Sequence, residues 1–428
     1  MRDVIVTLLI LSTLPMIFRH PWKGSLVSLW VSLMAPHHLT WGFAYNLPFV
    51  AIVVAATGIG IVFTKDKVKL PINATTVVLM VFALWMSFTL LFALEPTQGF
   101  KRWSEVMKIM VVVLATAALL QERKQIEWLL WVIVISVGFY GVKGGLFTVL
   151  TGGGSRVWGP PDSFIADNNA ISVALVMTIP LMGYLRTRVD RKWMRLGLLV
   201  AMMLSGMAVL GSQSRGAFLA IAATGFFLWL HSRRKAVFLI AAIVLVPLAI
   251  GFMPASWTER MQSIETYQQD ASALGRLNAW HAAYNVAKSR ITGGGFEWHT
   301  WQSFQIYAPD PTDVHSAHSI YFQVLGEHGF IGLFLFLVLG IIAWRDTRKI
   351  IAAARGDPSL AWAEGLARAI QVSLIGFAAG GLFVNIAYWE LQYYELIALM
   401  LVRRMVTAPK AAAADAAPPG QAAAGGKG

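Results

Sequence analysis

Continuous apolar runs recur along most of this chain, and that recurrence decides what it can fold into. They fall at residues 4–18, 25–35, 48–63, 76–93, 106–120, 126–142, 170–185, 196–210, 216–230, 236–252, 320–344, 370–387 and 391–402. Most are roughly 15 to 22 residues long, enough for a helix to cross a hydrocarbon core about 30 Å thick. In lipid the backbone must satisfy its own hydrogen bonds, which leaves helices or closed barrels. The runs are continuous rather than alternating, so helices are expected. The fold class is therefore an all-α polytopic membrane protein with 12 or 13 transmembrane helices. The lower count leaves out 25–35, short enough to be tilted or re-entrant. The first run has no small-residue cleavage pattern before the second and is expected to be a retained helix, not a removed signal peptide.

Composition agrees. The chain is 57% hydrophobic and 13% charged, where a soluble protein has about 25% charged residues. Seventeen Trp and 24 Phe suit interfacial belts and a lipid-facing surface. The net charge of +13 would suit nucleic acid if it were gathered on one soluble face. Here it is spread over the short loops between apolar runs, so the expected partner is the lipid bilayer and not a nucleic acid. The absence of cysteine excludes disulfides and thiolate metal sites.

Lys and Arg mark loops that stay on the cytoplasmic side. Clusters stand at Arg19 and Lys23; Lys65, Lys67 and Lys69; Arg123 and Lys124; Arg186, Arg188, Arg191, Lys192 and Arg195; Arg233, Arg234 and Lys235; Arg345, Arg348, Lys349 and Arg355; and Arg403 and Arg404. Every second loop carries one, and a missed helix would break that alternation. The loops at 36–47, 94–105, 143–169, 211–215, 253–319 and 384–392 then share the opposite, outward face. In the long one, Glu259, Glu265, Asp270, Glu297, Asp310 and Asp313 outnumber Arg260, Arg276, Lys288 and Arg290. From residue 407 the chain is Ala, Pro and Gly with little else and reads as a disordered tail. Three regions result: 1–195, 196–406 with its outward loop 253–319, and 407–428.

A charge near hydrocarbon is costly unless it has a partner or a task, so ionisable residues at the outward surface carry the information. Arg215, between two runs, faces the side where basic residues are disfavoured; snorkelling to lipid head groups explains it as well. Arg276, in Gly275-Arg276-Leu277-Asn278-Ala279-Trp280, opens a helical stretch and taken alone is a surface residue. Two guanidiniums on one surface can clamp a diphosphate, because the planar fork matches phosphate oxygens. His318 stands just before the run at 320. Ser316 or Asp313 is expected to cap that helix, which places N–H groups and the positive dipole end beside the imidazole. The imidazole can also take a proton near neutral pH, although a single loop histidine is more often simply solvated. His315 is the second choice. Glu327 lies at or just inside the interface, as a partner of His318 through other groups or as an interfacial acid. In the loop 143–169, Lys143, Arg156, Asp167, Asn168 and Asn169 flank Gly152-Gly153-Gly154 and Val157-Trp158-Gly159-Pro160-Pro161. That mixture suits sugar contact or an ordinary irregular loop. No HExxH, DxD or Walker A pattern occurs, so no metal, no cofactor and no ATP use are expected.

His318-Ser319, nine residues and then Gly329-Phe330-Ile331-Gly332 match the H-[NSQ]-x9-G-x-x-[GTY] signature of the O-antigen ligase family. Arg215 in Ser-Arg-Gly-Ala, the Gly-Arg-Leu-x-x-Trp run and Gly293-Gly294-Gly295-Phe296 resemble the shared core of the O-antigen ligase and polymerase superfamily, over roughly residues 200–390. Trp41-Gly42-Phe43-Ala44-Tyr45, the glycine-rich stretch 138–145, and Val157-Trp158-Gly159-Pro160-Pro161 with Asp167-Asn168-Asn169 resemble the O-glycosylation ligases associated with exosortase A systems. That narrower resemblance runs over almost the whole chain.

The resemblance implies a GT-C-like glycosyltransferase of the bacterial inner membrane with its active site on the periplasmic side. It would transfer a glycan en bloc from undecaprenyl diphosphate to a hydroxyl of an acceptor protein or lipid, without metal or ATP. It places function at three positions: Arg215 and Arg276 on the diphosphate and His318 at the acceptor oxygen. Two other readings stay open. A polymerase would share the donor chemistry and extend the lipid-linked glycan instead. A transporter or flippase would need ionisable residues buried mid-span and broken helices in paired positions, whereas mid-span charges here are few, chiefly Lys108 and Glu395.

Overall fold

The computed structural model describes residues 1–64, 68–231, 235–255, 257–258 and 271–415. Lys65, Lys67, Arg233, Arg234, Glu259, Arg260, Glu265 and Asp270, named above for their charge, lie outside the described residues, as does the tail from 416.

The described residues contain helices and no strand. The helices are α1 (Arg2–Leu11), α2 (Leu14–Arg19), α3 (Pro21–Met34), α4 (Phe49–Phe63), α5 (Ala74–Leu90), α6 (Pro96–Leu119), α7 (Arg123–Leu150), α8 (Asn168–Arg188), α9 (Lys192–Gly211), α10 (Arg215–His231), α11 (Lys235–Phe252), α12 (Ala271–Ser289), α13 (Trp301–Tyr307), α14 (Ile320–Ala354), α15 (Ala361–Gly380) and α16 (Glu390–Asp415). Every expected apolar run lies mostly or wholly in one or two of them. Among the described residues, five stretches are both long and apolar enough to cross a membrane: α7, α8, α9, α14 and Pro358–Phe383, which contains α15. The molecule is an all-α polytopic membrane protein.

Several boundaries differ from the expected ones, each for a local reason. The run at 4–18 is split between α1 and α2, because Pro15 stands at the start of α2 and cannot donate to the preceding turn. Helix α7 continues to Leu150, so Lys143 is helical and not a loop residue. Helix α6 begins at Pro96, a residue preorganised for a first turn, which places Arg102 and Glu105 on it. Helix α15 stops at Gly380 and passes into a 3-10 turn, Gly381–Phe383. Helix α16 runs on to Asp415, past residue 407 where disorder is expected; Ala411 to Ala414 have the highest helix propensity of any residue type.

The loops expected to face outward meet one another at one end of the bundle. His38 Nδ1 lies 2.8 Å from the Pro161 carbonyl oxygen, and the Tyr45 hydroxyl donates to Asp162 at 2.5 Å. The Leu94 amide donates to the Gly294 carbonyl, the Gln213 side chain to the Gly153 carbonyl, and the Ser319 amide to the Asn385 side chain. Residues from the basic loops meet at the other end: Arg403 pairs with Asp346 at 2.6 Å, Arg404 reaches Gln121, and Arg123 lies over the Trp362 ring.

Small residues allow the closest helix crossing. A Cβ at Gly145 would run into the Leu204 backbone, and one at Gly141 into the Ser205 side chain, so α7 and α9 approach through the glycine face of α7. Gly145→Leu is expected to lower stability by about 1–3 kcal/mol through overpacking, measured as earlier thermal unfolding of the detergent-solubilised protein. Gly197→Leu, where a Cβ meets nothing within 4 Å, should leave the transition in place.

Candidate functional site

Helix α14 is broken at Gly329, with φ 67° and ψ −171°, a region open essentially to glycine alone. The break strips the preceding carbonyls of their helical partners. A turn of three glycines replaces them: Gly294 N–H donates to the Gly326 carbonyl at 2.8 Å and Gly295 N–H to the Glu327 carbonyl at 2.9 Å. Trp85 Nε1 donates to the third, that of His328, at 2.9 Å. Gly293 must be glycine too, because its φ is 67° and a Cβ there would strike the 327–329 backbone. Phe296 is fully buried beside the His328 and Tyr388 rings.

The first piece of α14 thus ends at the break, and at its other end stands His318. The His318 backbone is left-handed, φ 43°, which turns the chain sharply into the helix. The N-cap is Ser319, with no side-chain cap bond; neither Ser316 nor Asp313 fills that role. Asp313 pairs with His315 at 2.7 Å, and the Ser319 amide is taken by the Asn385 side chain at 3.0 Å.

Helix α12 carries Arg276 and holds the loop that leads to His318. The Asn278 side chain donates to the carbonyls of Asp310 and Asp313 and accepts from the Asp310 amide. The Trp280 indole donates to the Ala317 carbonyl at 2.6 Å and stacks on Phe322 at 4.8 Å. A Cβ at Gly275 would meet His315 and Asp313, so the glycine before Arg276 lets the loop lie against the helix.

The charges that act on His318 come from four segments: Arg276, Asp167, His315 and His299. Burial, and after it the Arg276 guanidinium, hold the His318 imidazole below its usual 6.5; Asp167 pulls the other way, and His315 and His299 add to the depression. The ring is therefore neutral at neutral pH and able to accept a proton. His299 is itself held down by burial, against the pull of Glu297 3.7 Å away.

Asp167 caps α8, accepting from the amides of Asn169 and Ala170. Next to it the buried Asn168 donates to the Ser212 carbonyl at 2.8 Å and so fixes the turn that leads to Arg215. Half-buried Arg215 opens α10, whose Gly216 packs on Phe383, two residues before the Asn385 that holds Ser319. The structure thus gathers His318, Arg276, Asp167, Asn168 and His315, with the Arg215 turn tied to the same wall.

Three expected residues stand elsewhere. Lys143 is exposed on α7, opposite the glycine face that packs on α9. Arg156 is exposed in the loop that follows. Glu327 is buried and accepts from the Tyr388 hydroxyl at 2.5 Å, with His328 at 3.9 Å; it braces the break in α14 and does not partner His318. Sequence reasoning singled out none of His299, Asn278, Asn385 or Tyr388. Asn278 lay within a quoted motif, whereas the other three carry no local signal. Among the described residues no three His, Asp or Glu are grouped to hold a metal ion.

With this geometry in hand, comparison with known families divides the chain in two. Residues 1–190 match a family of unknown function (DUF5935). None of the curated proteins matches the chain. Residues 200–337, which contribute His318, Arg215 and Arg276, match the family described as O-antigen ligase.

Proposed function

We propose that this protein is a membrane glycosyltransferase that moves a glycan en bloc from undecaprenyl diphosphate to an acceptor hydroxyl, in the manner of an O-antigen ligase. The region 196–406 would carry the chemistry, at the periplasmic face of the inner membrane. The observation that carries this reading is a histidine kept neutral by burial and by an adjacent guanidinium, within a match to the O-antigen ligase family.

In the reaction the acceptor oxygen attacks the anomeric carbon, and the bond from that carbon to the diphosphate oxygen breaks. His318 takes the hydroxyl proton. The leaving diphosphate takes the electron pair, and Arg276 and Arg215 neutralise its developing charge. One displacement inverts the anomeric centre. The Asp167 charge acts on His318 and would stabilise the imidazolium that forms; Asn168 keeps the Arg215 turn in place. The acceptor is a protein hydroxyl in the reading closest to the resemblance, and Arg156 is free to contact the glycan from the exposed loop.

Two outcomes test this. His318→Ala is expected to lower transfer roughly 10²–10⁴-fold, the range for a lost general base, and Arg215→Ala or Arg276→Ala roughly 10²–10³-fold. In cells the variants should accumulate lipid-linked glycan beside unmodified acceptor at wild-type membrane levels. Unchanged attachment in all three would overturn the assignment, and altered glycan length alone would make the protein a polymerase.

The pH profile provides the second. Because His318 is held below 6.5, transfer should persist to below that pH and fail on further acidification. Arg276→Gln removes a positive neighbour, so the acid limb should move to higher pH, whatever activity remains. An acid limb that stays in place, read with purified protein and lipid-linked glycan, contradicts the coupling.

A further inference from the structure

Residues 85–102 belong to the region that matches the family of unknown function, yet they are built into the candidate site. One part of this segment grips the turn of three glycines. The Phe92 carbonyl accepts from the Arg290 guanidinium at 2.6 Å, and the same guanidinium donates to the Gly293 carbonyl at 3.0 Å. The Leu94 amide donates to the Gly294 carbonyl at 2.8 Å. A Cβ at Gly99 would meet the Phe296 carbonyl, so the first turn of α6 lies against the same strand of backbone. Arg102 then stands 3.8 Å from Glu297.

Helix α5 grips the break in α14 itself. Trp85 holds the His328 carbonyl, and one turn further on Thr89 Oγ1 lies 2.8 Å from His328 Nδ1. Thr89 and His328 are both fully buried. The Thr89 hydroxyl also donates to the Met86 carbonyl at 2.9 Å. A hydroxyl has one proton and a carbonyl can only accept, so both bonds are served when His328 Nδ1–H donates to Thr89. His328 Nε2 has no hydrogen-bond partner in the structure. Without Thr89 this buried imidazole would have none, at a cost of roughly 1–3 kcal/mol. The ring and the 326–329 backbone that carries it would shift to relieve that cost.

Such a shift matters because of what the break supports. The piece of α14 before the break, from Ile320 to His328, is about 13 Å long at roughly 1.5 Å per residue. Its far end is tied through the Ser319 amide and the Ala317 carbonyl. Its direction is therefore set by what fixes the break end. A tilt of about 5° changes the relative position of the two ends by about 1 Å, and a misplacement of that size can cost about 100-fold in rate. We propose that Thr89 is a positioning residue for the transfer reaction: through His328 it fixes the break end of this short helix, and so the direction in which the helix presents His318. The N-terminal region is thereby half of the site and not a separate module. The inference rests on the proposed transfer reaction, but one of its readouts needs no glycan donor.

The test compares Thr89→Val, which keeps the shape and loses the oxygen, with Thr89→Ser, which keeps the oxygen, in the full-length protein in nanodiscs. Thr89→Val should lower kcat for transfer roughly 10–100-fold at unchanged donor KM, because the two arginines stand on other segments. Thr89→Ser should retain most of the rate. Ser87→Ala removes another hydroxyl of α5, one that accepts from Trp103 at 2.9 Å, and should leave kcat in place. Amide hydrogen exchange, measured without donor, should rise in Thr89→Val over residues 320–329 and not over α8. Equal loss of rate in Thr89→Val and Thr89→Ser, or in Thr89→Val and Ser87→Ala, would reduce the effect to general stability and overturn the proposal. So would an unchanged rate in Thr89→Val, or unchanged exchange over 320–329. Absence of transfer in the wild type would overturn the reaction and with it the part of Thr89 in it; the exchange pattern separates that outcome from failure of the clamp.

Discussion

Three backbone carbonyls, those of Gly326, Glu327 and His328, hold the loop end of this protein together. A helix broken inside a membrane bundle leaves such groups without partners, and nothing in hydrocarbon can replace them. Here the replacements come from Gly294, Gly295 and Trp85, on a turn and a helix distant in sequence. The glycine turn holds the break in place, and the Leu94 amide in turn holds the Gly294 carbonyl. The spacing from His318 to Gly329 thereby gains a physical meaning. The histidine turns the chain into the short helix, and the glycine ends that helix. The nine residues between them set the separation.

The electrostatics follow from this scaffold. Arg276 and His318 sit on separate segments, and the Asn278 and Trp280 bonds to the 310–317 loop hold them near each other. Two basic groups in proximity are normally unfavourable. The result of that arrangement is a depressed histidine, which is what proton acceptance at neutral pH requires. Asp167, on a third segment, limits the depression.

Much of the fold was legible because lipid simplifies the code. Apolar runs become helices, and the alternation of basic clusters assigns loops to ends; the contacts of Tyr45 with Asp162 and Gln213 with Gly153 agree with that sorting. Limits appeared where hydropathy and helicity part. Lys143 ends an apolar run without ending a helix, because a helix interior tolerates lysine. Within the site, the motif glycines and Arg276 were visible, but their neighbours were not. Ser319 is held by Asn385, 66 residues away, and Glu327 by Tyr388, 61 away. Tertiary pairs of this kind leave no periodic or spacing signal. Glu327 was visible as an unusual acid, and of its two sequence readings the interfacial acid is the one its Tyr388 bond fits, a partner that no local signal announced.

The Asn385 clasp has a consequence for biosynthesis. A chain threaded into the bilayer from its N-terminus delivers His318 and both arginines well before residue 385 emerges. Until the last hairpin of helices arrives, the Ser319 amide has no acceptor and the buried Glu327 carboxyl lacks the Tyr388 hydroxyl. The candidate site is thus completed by the segment carrying Asn385 and Tyr388, and a polypeptide without it leaves these groups unassembled. Assembly of the candidate site and completion of insertion are one event.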